Sequence, residues 1–273
     1  MHSKSVWLGP FRGPVKLAMI ASLVLTGLMV TWLIVTFATG TSEIGMHEMI
    51  RPEGQPMVQL MLGLLITALL ATSLYFSDHI GAIEPEPQGF FDILSLVTSR
   101  LAMMGVVFIV IVMFYEVISR YMFEKPTLWA NELSLWIAAF VFLFSGQYAM
   151  QQRSHIRIYI IYDMMPRWGQ KLSDCISVAL IWVFTFGLVW GGYNESRDKL
   201  LRMETFGTAW DPPIPATVKP AILFIICLVA IQALSNLIAD WNKAPEHHTP
   251  ADEIDEIEIE NIRRTLEGKR DNG

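Results

Sequence analysis

LAMIASLVLTGLMVTWLIVTFA, residues 17–38, carries no charged side chain. An α-helix rises about 1.5 Å per residue, so a run of this length crosses the ~30 Å of hydrocarbon in a bilayer. A core helix of a soluble domain is shorter and keeps a polar stripe. Five further apolar runs follow, over about 57–76, 96–119, 133–150, 176–193 and 221–239. The composition agrees, at 53% hydrophobic and 17% charged residues. The sequence therefore reads as an all-α integral membrane protein with six predicted transmembrane helices. Lys4, Arg12 and Lys16 ahead of the first run, and Ala38-Thr39-Gly40 after it, resemble parts of a secretory signal. The run is much longer than the ~7–15-residue core of a signal peptide, so it is read as a retained span.

Basic residues set the expected orientation, because Lys and Arg accumulate on the cytoplasmic side. Lys4, Arg12 and Lys16 place the N-terminus inside, and the acidic loop over 39–56 outside. Counting spans then puts both termini in the cytoplasm, with 151–175 and its Arg153, Arg157, Arg167 and Lys171 inside. The segment 77–95 has no Lys or Arg, and 194–220 has four, which argue the other way. The net charge of −6 says little about partners, since much of it lies in ADEIDEIEIENIRRTLE near the C-terminus. No basic block with interleaved aromatics points to nucleic acid.

Pro85 and Pro87, in DHIGAIEPEPQGFFD, divide the chain into an N-terminal extension with two spans, 1–91, and a four-helix unit, 92–241. The acidic tail, 242–273, is too polar to bury a core. Little in the chain suggests an enzyme. The six histidines fall in loops, tails or span ends, which leaves no haem ligands within the spans. There is no HExxH, CxxC or GxxxxGK[ST], and no cofactor or metal is expected. Cys175 and Cys227 lie in or beside apolar runs and form no disulfide framework. Gly187, Gly191 and Gly192 are expected to serve close helix packing.

Glu116 and Arg120 lie four apart and share a helix face. A short connection leads to Glu132 at the start of the next span, within reach of Arg120. The three either snorkel separately to water or form a cluster that fixes the hairpin or a partner surface. Taken alone, Arg153, His155 and Arg157 form a basic stop at headgroup depth. Trp168, after Pro166, would anchor at the same interface.

The succession ISRYMF, LWANEL, FVFLFSGQYAM, QQRSHIRI and DMMPRWGQKLSD resembles the small membrane subunit of tripartite ATP-independent periplasmic (TRAP) transporters, the DctQ-like family. Arg120-Tyr121, Trp129, Glu132, Gly146, Arg153, His155-Ile156 and Pro166 carry the resemblance, over roughly 92–241. Tyr159 stands near where family members have an Asp, and the two N-terminal spans are additional to the family's four helices. The resemblance implies a bacterial inner-membrane scaffold. It would support a large DctM-like membrane subunit, work with a periplasmic substrate-binding protein, and contact membrane lipid. The system would take up a small organic anion, such as a carboxylate, with sodium. Glu116, Arg120, Trp129, Glu132, Gly146, Arg153, His155, Arg157 and Pro166 become candidate structural or interface residues. The alternative is a self-contained channel or carrier, oligomeric, with Glu116, Arg120 and Glu132 along its path.

Overall fold

A computed structural model describes residues 5–42, 44–81, 84, 86–153, 162 and 164–242. Among them the secondary structure is helical, with no strand. The elements are α1 (Arg12–Ala38), the single turn α2 (Met46–Met49), α3 (Pro56–Ser77), α4 (Phe90–Tyr121), α5 (Ala130–Gln151), α6 (Arg167–Leu201) and α7 (Ile214–Asp240). The six long helices each meet the length and apolarity needed to cross a membrane. All six expected spans are present, and each helix extends past its apolar run. The largest extension is in α6, which begins at Arg167 where the apolar run begins near 176. At about 1.5 Å per residue its 35 residues reach ~52 Å, well beyond the hydrocarbon layer.

Local chemistry sets the helix ends. Pro56 opens α3, where a missing N–H costs nothing. Beyond α1, Thr41 N–H donates to Thr36 C=O (2.9 Å) and Gly40 N–H to Phe37 C=O (3.1 Å). This is a Schellman cap, and Gly40 supplies the positive φ (69°) it needs. α6 closes in the same way, through Glu204 N–H on Lys199 C=O and Met203 N–H on Leu200 C=O. Here a non-glycine residue, Met203 (φ 46°), takes the left-handed position.

The helices pack as a row, α1–α3–α4–α5–α7–α6, with a smaller contact between α4 and α7. Such a row buries little. One-third of the apolar stretch of α3 is buried but only 6% of that of α6, whose main contact is α7. Trp190 on α6 is 90% exposed. In water this surface would drive aggregation; in a bilayer, lipid tails or other helices cover it.

α4 packs tightly on α5 at Gly105. A Cβ added at Gly105 would lie 2.9 Å from Val141 Cγ2 and 3.3 Å from Ile137 Cγ2. Of the three glycines expected to pack, only Gly192 does so, against Leu223. Gly187 and Gly191 face open space, so among the described residues neither meets that expectation. They lie on the outermost helix, where no neighbour is close enough to need them small. Cys175 and Cys227 are both free.

Candidate functional site

Every charged side chain on the six long helices lies within roughly three turns of a helix end. The polar chemistry therefore divides between two ends of the row, here named for Arg12 and Glu116.

At the Arg12 end, Asp78 follows α3 and is fully buried. Its Oδ1 accepts from the Ser5 hydroxyl and from the N–H groups of Val6, Trp7 and Leu8, each at 2.9 Å. Arg12 Nε lies 3.4 Å from Oδ2. Burial pushes the Asp78 carboxyl up, but the N–H groups of Leu8, Trp7 and Val6 and the Ser5 hydroxyl together hold it below its ordinary value. Arg12 also meets His79 Nε2 at 2.6 Å, and its guanidinium lies 5.9 Å from the Tyr75 ring centre.

A second cluster joins the segment after α3 to α4 and α5. Arg100 donates through Nη1 to Glu84 Oε1 (2.9 Å) and through Nη2 to Oε2 (2.5 Å). The Tyr148 hydroxyl and Gly81 N–H also donate to Glu84, at 2.5 and 2.8 Å. Burial again raises the Glu84 carboxyl, and Arg100, the Gly81 N–H and Tyr148 outweigh it, leaving a net depression. The pair is nearly dry, with side-chain exposures of 13% for Arg100 and 7% for Glu84.

A third cluster ties α4 to α5 and α7. Buried Gln232 donates to Asp92 Oδ1 (2.6 Å) and Asn236 Oδ1 (3.0 Å). Asn236 in turn donates to Met150 C=O (2.7 Å), a carbonyl in the last turn of α5 that also accepts from Arg153 N–H (3.2 Å). Next to it Arg153 grips Asp240 through Nε (2.5 Å) and Nη2 (2.9 Å). Arg153 has a positive φ of 55°, a position costly for a non-glycine residue. That turn ends α5 and brings the guanidinium onto α7. Arg153 thereby forms an ion pair between helix ends.

At the Glu116 end the main cluster is local. Buried Glu116 accepts from Arg120 Nε (2.9 Å) and Nη2 (2.5 Å), and from Thr127 N–H (2.9 Å) and hydroxyl. The Thr127 hydroxyl also accepts from Ala130 N–H, so the α4–α5 turn is laced to the start of α5. Trp129 stacks on Tyr115 with ring centres 5.8 Å apart. Glu132 is not part of the cluster: the Arg120 ion pair goes to Glu116, and Glu132 Oε2 is buried without a hydrogen bond.

Gly146 lies on α5 facing open space. Pro166 is the N-cap of α6, its carbonyl accepting from Gly169 and Gln170 N–H. His155 and Arg157 lie outside the described residues. No group of three or more His, Cys, Asp or Glu suited to a metal occurs among the described residues.

Sequence reasoning missed Asp78, Glu84, Arg100, Asp92, Gln232 and Asp240. Arg100 could have been flagged as a lone cation early in a long apolar helix, since such residues need a partner. It also missed Trp210, 3% exposed, which donates to Met46 C=O (2.7 Å) and so joins the loop before α7 to the α1–α3 loop. Arg51 and Asp211 pair across the same contact at 3.8 Å.

Residues 109–243 match the sequence model of the family described as Tripartite ATP-independent periplasmic transporters, DctQ component. Over that stretch the chain is similar to the DctQ family. A C4-dicarboxylate TRAP transporter small permease protein DctQ from Vibrio cholerae serotype O1 is 26% identical over 102 residues, 37% of this chain and 44% of that protein. The Sialic acid TRAP transporter permease protein SiaT of Haemophilus influenzae is 24% identical over 131 residues, 47% of this chain and 21% of that protein. The match to each covers less than half of the relative's length. The chain carries α1, α2 and α3 ahead of the matched stretch, which starts within α4.

Proposed function

We propose that the chain is the small membrane subunit of a TRAP uptake system, acting as a static scaffold beside a larger membrane partner. The observation that carries this reading is the single row of helices, the family match running from within α4 through α7, with α6 almost wholly uncovered. Long apolar helices in one layer offer broad surfaces to a neighbour, while the polar groups hold the row together at its ends. Moving a solute calls for polar groups or broken helices near mid-membrane, and the charged residues of this chain sit near helix ends instead.

In this reading residues 1–91 are an extension that widens the scaffold, and 92–241 are the family unit. The chain lies in a bacterial inner membrane with both termini cytoplasmic. Two relatives are named for sialic acid and C4-dicarboxylate, which supports a small organic anion as solute; a sodium-coupled larger partner would move it, and a periplasmic protein would deliver it. Glu116, Arg120, Trp129, Glu132, Gly146, Arg153, His155, Arg157 and Pro166 would form or brace the contact between subunits. Gly146 is the best placed of these for a close helix approach, because nothing among the described residues fills the space over it.

The test is purification of this chain from its native membrane in mild detergent, with mass spectrometry of whatever accompanies it. A stoichiometric polytopic partner, and loss of uptake when the chain is deleted, are the expected results. A clean homo-oligomer that conducts solute alone in liposomes would replace the scaffold by a channel or carrier.

A further inference from the structure

We infer that the Arg12 end of the row holds a specific site for the headgroup of an amine-bearing phospholipid, phosphatidylethanolamine in type. A cavity of about 220 Å³ opens there between the start of α4, the end of α5 and the end of α7. Its lining includes Gln88, Asp92, Arg153, Ser235, Asn236 and Ile238. A water occupies about 30 Å³ of liquid, so the space suits a group the size of phosphoethanolamine. Asp92 is the third residue of α4, Arg153 lies just past α5, and Ser235–Ala239 form the last turns of α7. Those positions fall where spanning helices leave the hydrocarbon for the headgroup layer.

The charge balance selects the ligand. Arg153 pairs with Asp240, which does not line the cavity. Asp92 has only neutral donors, Gln232 Nε2 on Oδ1 and Gln88 N–H on Oδ2 (2.9 Å). No ion pair joins Asp92 to Arg153 among the described residues, although both line the cavity. Among the described residues the lining thus holds one carboxylate and one guanidinium that do not pair with each other, which suits a ligand carrying both charges. A primary ammonium can give Asp92 the charged hydrogen bonds its neighbours do not. A phosphate on the same headgroup can accept from Arg153 Nη1, since the contacts to Asp240 use Nε and Nη2, and from the Ser235 hydroxyl. Gln232, fully buried and bonded to two lining residues, keeps Oε1 without a partner, an acceptor beside the cavity. Ile238, 69% exposed at the rim, gives the glycerol and acyl chains an apolar exit.

The proposal rests on the chain spanning a membrane, and it stands or falls independently of the transporter reading. The experiment uses the full chain in mild detergent, delipidated and then offered equal amounts of dioleoyl phosphatidylethanolamine, phosphatidylcholine and phosphatidylglycerol, with bound lipid read by native mass spectrometry. We expect one phosphatidylethanolamine retained at least tenfold over phosphatidylcholine, whose methylated nitrogen has no N–H to donate, and over phosphatidylglycerol, which has no amine. Asp92→Asn should erase the preference. Ser235→Phe, which fills the cavity, should erase retention while leaving the helical circular dichroism unchanged. Equal retention of the three lipids overturns the inference, as does a preference that survives Asp92→Asn or Ser235→Phe. Competition by soluble glycerophosphoethanolamine at equal concentration would overturn the lipid assignment in favour of a soluble phosphate ester. Stabilisation by sodium chloride that depends on Asp92, without lipid preference, would overturn it in favour of an inorganic cation.

Discussion

The two ends of the helix row are held by different means. At the Arg12 end four polar clusters join segments far apart in sequence: Asp78 with residues 5–8, Glu84 with Arg100 and Tyr148, Asp92 with Gln232, and Arg153 with Asp240. At the Glu116 end the densest cluster stays within one hairpin, from Glu116 to Ala130. Long-range contacts there include Trp210 on Met46 and Trp136 on Thr217. Buried ion pairs regain their desolvation cost only in good geometry, so they are better at specifying position than at adding stability. The Arg12 end fixes which helix stands beside which. The Glu116 end fixes a turn and leaves its loops more freedom. The N-terminal helix pair is bound at both ends, firmly through Glu84–Arg100 and more lightly through Trp210.

Breaking Glu84–Arg100 should have the largest effect. Arg100→Ala leaves a buried carboxylate without its cation and is expected to cost about 3–5 kcal/mol, read as a lower unfolding midpoint in detergent. Replacing both residues together by Leu and Met should recover most of the loss. Acid should act in the same direction. Glu84 and Asp78 both have depressed folded values, so their contribution is complete above the ordinary carboxylate range and disappears as pH falls through the lower folded values. Protection of the Val6–Leu8 amides in hydrogen exchange should thus hold at neutral pH and fail only in strong acid.

Packing comes next in size. Gly105→Val forces methyl groups onto Val141 and Ile137, two stiff β-branched side chains, at an expected cost of about 1–3 kcal/mol. Gly187→Ala on α6 meets nothing and should not destabilise the isolated chain. Equal losses from the two would mean that α6 has a neighbour in the isolated chain after all. At the Glu116 end, Trp210→Phe removes a single hydrogen bond and is expected to cost about 0.5–1.5 kcal/mol. Faster hydrogen exchange across 44–50 would be its signature, with the Arg12 end unchanged. If Trp210→Phe instead matched Arg100→Ala, the contrast between the ends would not hold.

The helices were legible because a span announces itself through one variable, the length of an uninterrupted apolar run. The ends of α6 were not, because Arg167–Asp174 and Glu195–Leu201 continue the helix in polar residues that hydropathy cannot tell from loop. The Glu116–Arg120 pair followed from helical spacing, a local rule. Glu132 did not join it, since which face of α5 meets α4 is set by packing such as Gly105 on Val141. The partners of Arg100 and Arg153 lie 16 and 87 residues away, and no local pattern encodes such distances. Arg153 was singled out by its motif but given no partner within the chain, because the left-handed turn that aims it at Asp240 leaves no trace in composition.

The smallest effect belongs to Arg120, and it tests the comparison most finely. Its side chain is 49% exposed, while that of Glu116 is 5% exposed. An ion pair with one solvated partner contributes about 0–1 kcal/mol. After Arg120→Ala, Glu116 still has the Thr127 N–H and hydroxyl as donors. The isolated chain should therefore lose little, less than from Arg100→Ala, Gly105→Val or Trp210→Phe. If the exposed side of Arg120 faces a larger membrane subunit, as proposed, covering it removes the screening water, and the same substitution should cost more in the complex. The measurement is the unfolding midpoint of Arg120→Ala, with and without the co-purified partner. A penalty that grows only with the partner present places Arg120 at the interface. An equal, small penalty in both leaves it a solvated brace on the hairpin, and a loss as large as that of Arg100→Ala in the isolated chain would show that the two ends are held alike.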